Sequence, residues 1–194
     1  MPATTARRIP TEPDAFIAWE NRQKARYELI DGIAYAMTGG TLRHDIISIN
    51  IAVALRERLR GGPCMVHGSN LKVRSSAASV MYPDAFVRCG AADDSVTEIA
   101  DPVLVAEVLS PRTRRYDMLA KRNAYLVIPS LRHILLVSPE ACRVELETRR
   151  DDGTWLLSLH QRLDDALVLD ALGVTLPLTE IYAGTRVASG VGEQ

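Results

Sequence analysis

The hydrophobic pattern is densest in two short runs, Tyr82-Pro83-Asp84-Ala85-Phe86-Val87 and Val103-Leu104-Val105-Ala106-Glu107-Val108-Leu109. Runs of this length, rich in β-branched residues, read as buried strands. Upstream, Arg26 to Ile30 and Ile33 to Met37 read as strands joined by Asp31-Gly32, a pair suited to the positive φ of a type I′ turn. Thr11-Glu12-Pro13-Asp14 predicts a helix entry with Thr11 as its cap. A longer helix is expected over residues 42–60, capped by Thr41 and ended by Gly61-Gly62-Pro63. Its Leu42, Ile46, Ile49 and Val53 are spaced four, three and four apart, which predicts the core stripe. Residues 64–67 and 70–74 read as one interrupted strand, and Arg74 to Val80 as a Ser/Ala-rich loop. Gly90 to Asp101 reads as a solvated tip. A helix over residues 113–127, stopped by Pro129, follows the second apolar run. Arg132 to Val137, Arg143 to Glu147 and Thr154 to Leu159 read as antiparallel strands, and Pro177 to Tyr182 as a last helical turn.

Composition narrows the function classes. The 194 residues are 47% hydrophobic, enough for one domain with a sizeable core, expected over 1–194 with loose tails at 1–10 and 185–194. Net charge is −1, so nucleic-acid binding would need a local basic patch rather than a whole-protein field. No stretch approaches the ~20 apolar residues of a membrane span. The N-terminus lacks the apolar run of a signal peptide. Cys64, Cys89 and Cys142 are odd in number and far apart. They suggest no disulfide framework, read as small buried apolar side chains, and point to a reducing cytoplasm.

The candidate chemistry lies in the two central runs. Asp84 and Glu107 each place a carboxylate where an apolar residue is expected. Burying them is costly, and on neighbouring strands they would repel each other. A hard divalent cation with oxygen ligands relieves both problems. The same residues also fit a turn-forming Asp and a Glu paired with an arginine. Glu28 alternates onto the face of Ile30 and reads as a solvent-facing edge residue. His44, in a first helical turn, reads as a surface or capping residue. Arg112, Arg114 and Arg115 crowd a helix N-terminus, where the macrodipole disfavours cations; phosphate contact would explain them. Asp117, Lys121 and Tyr125 recur every four residues and share a face, and Asp117 with Lys121 also fits a surface ion pair.

Taken in order, Tyr27-Glu28-Leu29-Ile30-Asp31-Gly32, His44, Pro83-Asp84, Glu107-Val108-Leu109-Ser110-Pro111 and Tyr116-Asp117 with Lys121 and Tyr125 resemble the Uma2 family of endonucleases, within the PD-(D/E)XK superfamily. The resemblance runs from about Tyr27 to Tyr182. It implies a mixed α/β, restriction-endonuclease-like fold: a core of helix, three strands, helix and strand over residues 42–138, with extra antiparallel strands. It implies Asp84 as the Asp of the PD element and Glu107 as the acidic residue of (D/E)XK. Leu109 stands where the motif lysine belongs, and Lys121 on the following helix is the matching position. Glu28 is implied as a further acidic residue, with His44, Asp117 and Tyr125 as accessory positions.

The implied activity is metal-dependent phosphodiester hydrolysis of nucleic acid, DNA foremost. Mg²⁺ or Mn²⁺ would sit on Asp84, Glu107, Glu28 and the Val108 carbonyl, with the three arginines on flanking phosphates. A homodimer is expected if both strands of a duplex are cut. Two other readings stay open: a relative that binds nucleic acid without cleaving it, and an interaction module whose carboxylates are ordinary ion-pair partners.

Overall fold

The computed structural model describes residues 9–37, 39–75, 78–91, 93–109 and 116–188, with the side chains of 116–118 excepted. Helix α1 (Pro13–Glu20) leads into the hairpin of β1 (Tyr27–Ile30) and β2 (Ile33–Ala36). Asp31 and Gly32 turn it with φ of 50° and 76°, the two positive values a type I′ turn requires. Helix α2 (Leu42–Arg58) follows, then β3 (Cys64–Gly68), β4 (Lys72–Ser75), β5 (Ser79–Met81), β6 (Ala85–Cys89), β7 (Glu98–Ile99) and β8 (Leu104–Val108). Helix α3 (Tyr116–Leu126) crosses to β9 (His133–Val137), and β10 (Val144–Arg149) and β11 (Trp155–His160) complete a meander. A small hairpin, β12 (Ala166–Leu169) and β13 (Val174–Pro177), precedes α4 (Leu178–Ile181).

These strands form a mixed six-stranded sheet, ordered β11-β10-β9-β8-β6-β3, and a five-stranded sheet, ordered β2-β1-β5-β4-β7. In the larger sheet β8 and β9 run parallel and the other pairs antiparallel. The order α2, β3, β6, β8, α3, β9 is the expected core, with β4, β5 and β7 diverted into the second sheet. Alternation along β8 divides the layers. Ala106 and Val108 pack under α2 with Ile47, Ile51 and Leu55. Val105 packs on the other side with Ala124, Tyr125 and Ile128 of α3. Glu107 is therefore aimed at the face that α3 covers.

Several expectations need correction. Leu42, Ile49 and Val53 of the expected α2 stripe are exposed, and the buried stripe is Ile47, Ile51, Ala54 and Leu55. The helix carries two apolar faces on opposite sides; periodicity reveals both, but only packing selects one. The selected face also carries His44, so burying the other stripe would have turned the imidazole away from the sheet. Thr11 does not cap α1, whose N-cap is Glu12 without a side-chain bond. Residues 64–67 and 70–74 are not one strand: β3 and β4 belong to different sheets. The stretch expected as a loop over 74–80 contributes to the β4–β5 pair. The tip loop carries β7, and its Glu98 binds Arg74 bidentately at 2.9 and 3.0 Å. Finally, Cys64 and Cys89 stand opposite each other on β3 and β6 and are joined by a disulfide, so the cysteine argument for a reducing compartment loses its premise.

The buried and exposed choices are testable by equilibrium urea denaturation. Ile51→Ala should cost about 2–4 kcal/mol, as a cavity in a packed core does. Val168→Ala, on the exposed side of β12, should stay within about 0.5 kcal/mol of the parent.

Candidate active site

The site gathers at the C-terminal end of β8. Val87 pairs with Leu104 and Ala85 with Ala106, so Asp84 continues β6 to a place beside Glu107. Pro83 leaves position 83 without an amide hydrogen, and the chain turns there before the strand begins. Asp84 Oδ2 accepts the Val108 backbone N–H at 2.7 Å. The same oxygen lies 3.3 Å from His44 Nε2. His44 is placed by the start of α2, where Thr41 Oγ1 accepts the His44 backbone N–H at 3.2 Å. Gly40 packs onto the ring so closely that an added Cβ would fall 2.9 Å from His44 Nδ1.

Glu28 enters from the other sheet. Strand β1 buries it, contrary to the expected solvent-facing edge position. Its Oε1 accepts the Tyr82 backbone N–H at 2.8 Å and lies 2.8 Å from Lys121 Nζ. Lys121 also reaches Glu107, at 3.2 and 3.3 Å from its two oxygens. One turn further along α3, the fully buried Tyr125 donates its hydroxyl to Glu107 Oε1 at 2.6 Å. The ammonium thus sits between two carboxylates that come from different sheets.

Burial and crowding set the protonation equilibria. Glu107 is pushed up to about 7, chiefly by burial and then by the Asp84 and Glu28 charges, against the pull of Lys121 and Tyr125. Burial alone would lower Lys121, but the Glu107 and Glu28 carboxylates outweigh it and hold the ammonium charged. Burial, with the neighbouring carboxylates, keeps the Tyr125 phenol neutral. His44 is raised, first by its hydrogen bond to Asp84, with burial opposing and the Asp84 and Glu107 charges assisting.

Two carboxylates hold the ammonium and a third, Asp84, stands beside Glu107, so the donor set suits a further hard cation. Among the described residues, no three His, Cys, Asp or Glu side chains form a ready-made metal cluster. Asp84 and Glu107 can offer two carboxylates and Val108 a carbonyl. An ion such as Mg²⁺ commonly takes one or two carboxylates and keeps its waters. Glu28 is engaged by Tyr82 and Lys121, as Glu107 is by Lys121 and Tyr125.

The structure therefore brings together Glu28, His44, Asp84, Glu107, Lys121 and Tyr125. Arg112, Arg114, Arg115 and the side chain of Asp117 lie outside the described residues. Two supporting networks were not foreseen. Arg122, next to Lys121, grips the almost wholly buried Glu147 of β10 through Nε and Nη2, docking α3 on the sheet. Tyr82, whose amide holds Glu28, has its hydroxyl 3.3 Å from both Glu20 oxygens, and Lys72 lies 3.4 Å from Glu20. Glu147 alternates with apolar residues and so reads from sequence as solvent-facing. Only the helix covering that face makes it internal.

With fold and geometry established, the relationships of the chain are clear. A family model, Uma2, described as "Putative restriction endonuclease", matches residues 13–179, and the chain belongs to this family. It is 36% identical over 174 residues to uncharacterized protein slr1290 of Synechocystis, covering 89% of this chain and 91% of that protein. A second Synechocystis relative, uncharacterized protein sll1609, is 26% identical over 147 residues, 74% of this chain and 83% of that one. Among solved structures, a putative nuclease belonging to DUF820 from Anabaena variabilis superposes with a TM-score of 0.75 at 12% identity, covering 90% of this chain and 98% of that one. That likeness establishes the fold, a restriction-endonuclease-like arrangement of mixed sheet and helices.

The ammonium's role is open to a pH test. In Lys121→Met, Glu107 loses its main stabilising charge, so its folded pKa rises further above the unfolded value. Stability is then retained at low pH and lost as pH rises through that folded pKa. We expect a loss of about 3–5 kcal/mol at pH 8, as for a broken buried pair, and a clearly smaller loss at pH 5. Equal losses in urea melts at both pH values would refute the electrostatic role.

Proposed function

We propose that this chain is a metal-dependent nuclease that hydrolyses phosphodiester bonds, with DNA as its substrate. The observation carrying the proposal is the convergence of Asp84, Glu107 and Lys121, from the start of β6, the end of β8 and the middle of α3, on one buried point. Family membership supports the same reading.

Asp84, Glu107 and the Val108 carbonyl would hold Mg²⁺ or Mn²⁺. Bound there, the ion supplies an acidified water and charge neutralisation at phosphate. Asp84 is fixed for this by the Val108 amide, and His44 holds the same carboxylate oxygen from the other side. Lys121 acts as a charged donor to a phosphate oxygen or to the attacking water, because its carboxylate neighbours hold its proton too tightly for a base. Tyr125 keeps Glu107 oriented. Glu28 steadies Lys121. Arg112, Arg114 and Arg115, at the entry to α3, bind flanking phosphates, contacts that position the substrate without reading its sequence.

One feature favours a second reading. The two-carboxylate set is small, and Lys121 already neutralises part of it, which would suit a protein that binds nucleic acid without cutting it.

Plasmid cleavage with Mg²⁺, Mn²⁺ or EDTA separates the two. Metal-dependent nicking should fall by ~10³-fold or more in Asp84→Asn and Glu107→Gln, with both variants folded. Binding without cleavage under any metal would support the second reading. His44→Ala should lose about 10–100-fold and need more Mg²⁺ for half-maximal rate, the signature of a residue acting through a metal ligand. An unchanged Mg²⁺ requirement would remove His44 from the site's working parts.

A further inference from the structure

Helix α2 is apolar on both sides. One side packs on the sheet; the other presents Leu42 at 77%, Ile49 at 53% and Val53 at 49% exposure, with Ile46 half-buried beside them. At 100° per residue these four lie within one narrow sector, directly opposite Ile47, Ile51 and Leu55. An apolar stripe along a helix normally faces a packing partner. The sheet accounts for one side only.

We infer that this outer face of α2 is the interface between two copies of this chain, paired antiparallel about a two-fold axis. The occupant is indicated by the charges that flank the sector along one edge. Asp45 lies toward its N-terminal end and Arg56 toward its C-terminal end. An antiparallel self-pairing sets Asp45 of one copy against Arg56 of the other, twice, while Ile46, Ile49 and Val53 of the two copies interleave between them. The two helix dipoles also oppose, which is favourable. A parallel pairing would instead oppose like charges at both ends. A two-fold contact of this kind uses the same patch on both copies and closes the assembly at two. His44 lies within a turn of Leu42, so the two candidate sites flank the shared helix pair.

The test is light scattering on the full chain across a dilution series. The wild type should show twice the 21.3 kDa chain mass. Ile49→Asp with Val53→Asp should give the single-chain mass with unchanged far-UV circular dichroism, since both positions are exposed in one chain. Asp45→Arg should raise the dimer dissociation constant at least ~10-fold, and adding Arg56→Asp should restore it, because the swapped pair regains opposite signs. A wild type with single-chain mass at every concentration overturns the inference. So does a dimer that the double aspartate variant leaves intact. A dimer indifferent to Asp45→Arg overturns the antiparallel arrangement. The readout is mass alone, so none of these results bears on whether the chain cleaves nucleic acid.

Discussion

Everything near the centre of this molecule answers to one electrostatic constraint. Glu28, Asp84 and Glu107 are crowded in a place that water barely reaches, and Lys121 is the cation that makes this tolerable. Removing two charges from water costs several kcal/mol each, repaid only when geometry and hydrogen bonding are good. The geometry here is tightly held. Arg122 ties the middle of α3 to Glu147, and Arg149 donates to the carbonyls of Ile128 and Pro129 just beyond the helix. Tyr125, one turn further along α3, adds its own hydrogen bond to Glu107. The helix is fastened from Lys121 onward, and the lysine has little freedom to leave its carboxylates.

The same constraint explains why the second sheet is more than decoration. The core alone would supply Asp84 and Glu107. Glu28 comes from β1, which pairs with β5, and the chain runs from β5 through Tyr82 into Asp84. Tyr82 therefore ties the chain that enters β6 to β1, by its amide to Glu28, and to α1, by its hydroxyl toward Glu20. Lys72 and Arg26 lie over its ring at 5.4 and 5.5 Å, and Lys72 closes the buried cluster with Glu20. A perturbation of the small sheet is thus felt at the carboxylates of the large one.

Much of this was legible in the chain. Asp31-Gly32 announces its hairpin, because few other pairs accept two positive φ angles in succession. Asp84 and Glu107 stand out as carboxylates in apolar runs, and they do meet across β6 and β8. Other features were illegible for physical reasons. Alternation put Glu28 on the correct face but could not say that α3 would cover it. Periodicity in α2 offered two stripes of similar quality, and the sheet's choice depends on partners far away in sequence. The 25-residue separation of Cys64 and Cys89 carries no information about strand register, which alone brings them together. The place of Lys121 beside Glu107 followed only from family resemblance, since the intervening segment gives no hint of how far the chain doubles back.

The order in which the chain leaves a ribosome gives the Lys121 contact a further meaning. Glu28 and Tyr82 are 54 residues apart, Asp84 and Val108 are 24 apart, and the lysine comes after all of them. Until α3 emerges, the three carboxylates have no ammonium to gather around, and their mutual repulsion favours keeping them in water. Strand β9, which continues the sheet beside β8, is made later still. A nascent chain can therefore build its hairpin and its long helix early, yet the charged centre closes only once α3 has been made. The cluster is an assembly mark: its closure reports that β1, β6, β8 and the crossover helix have come together.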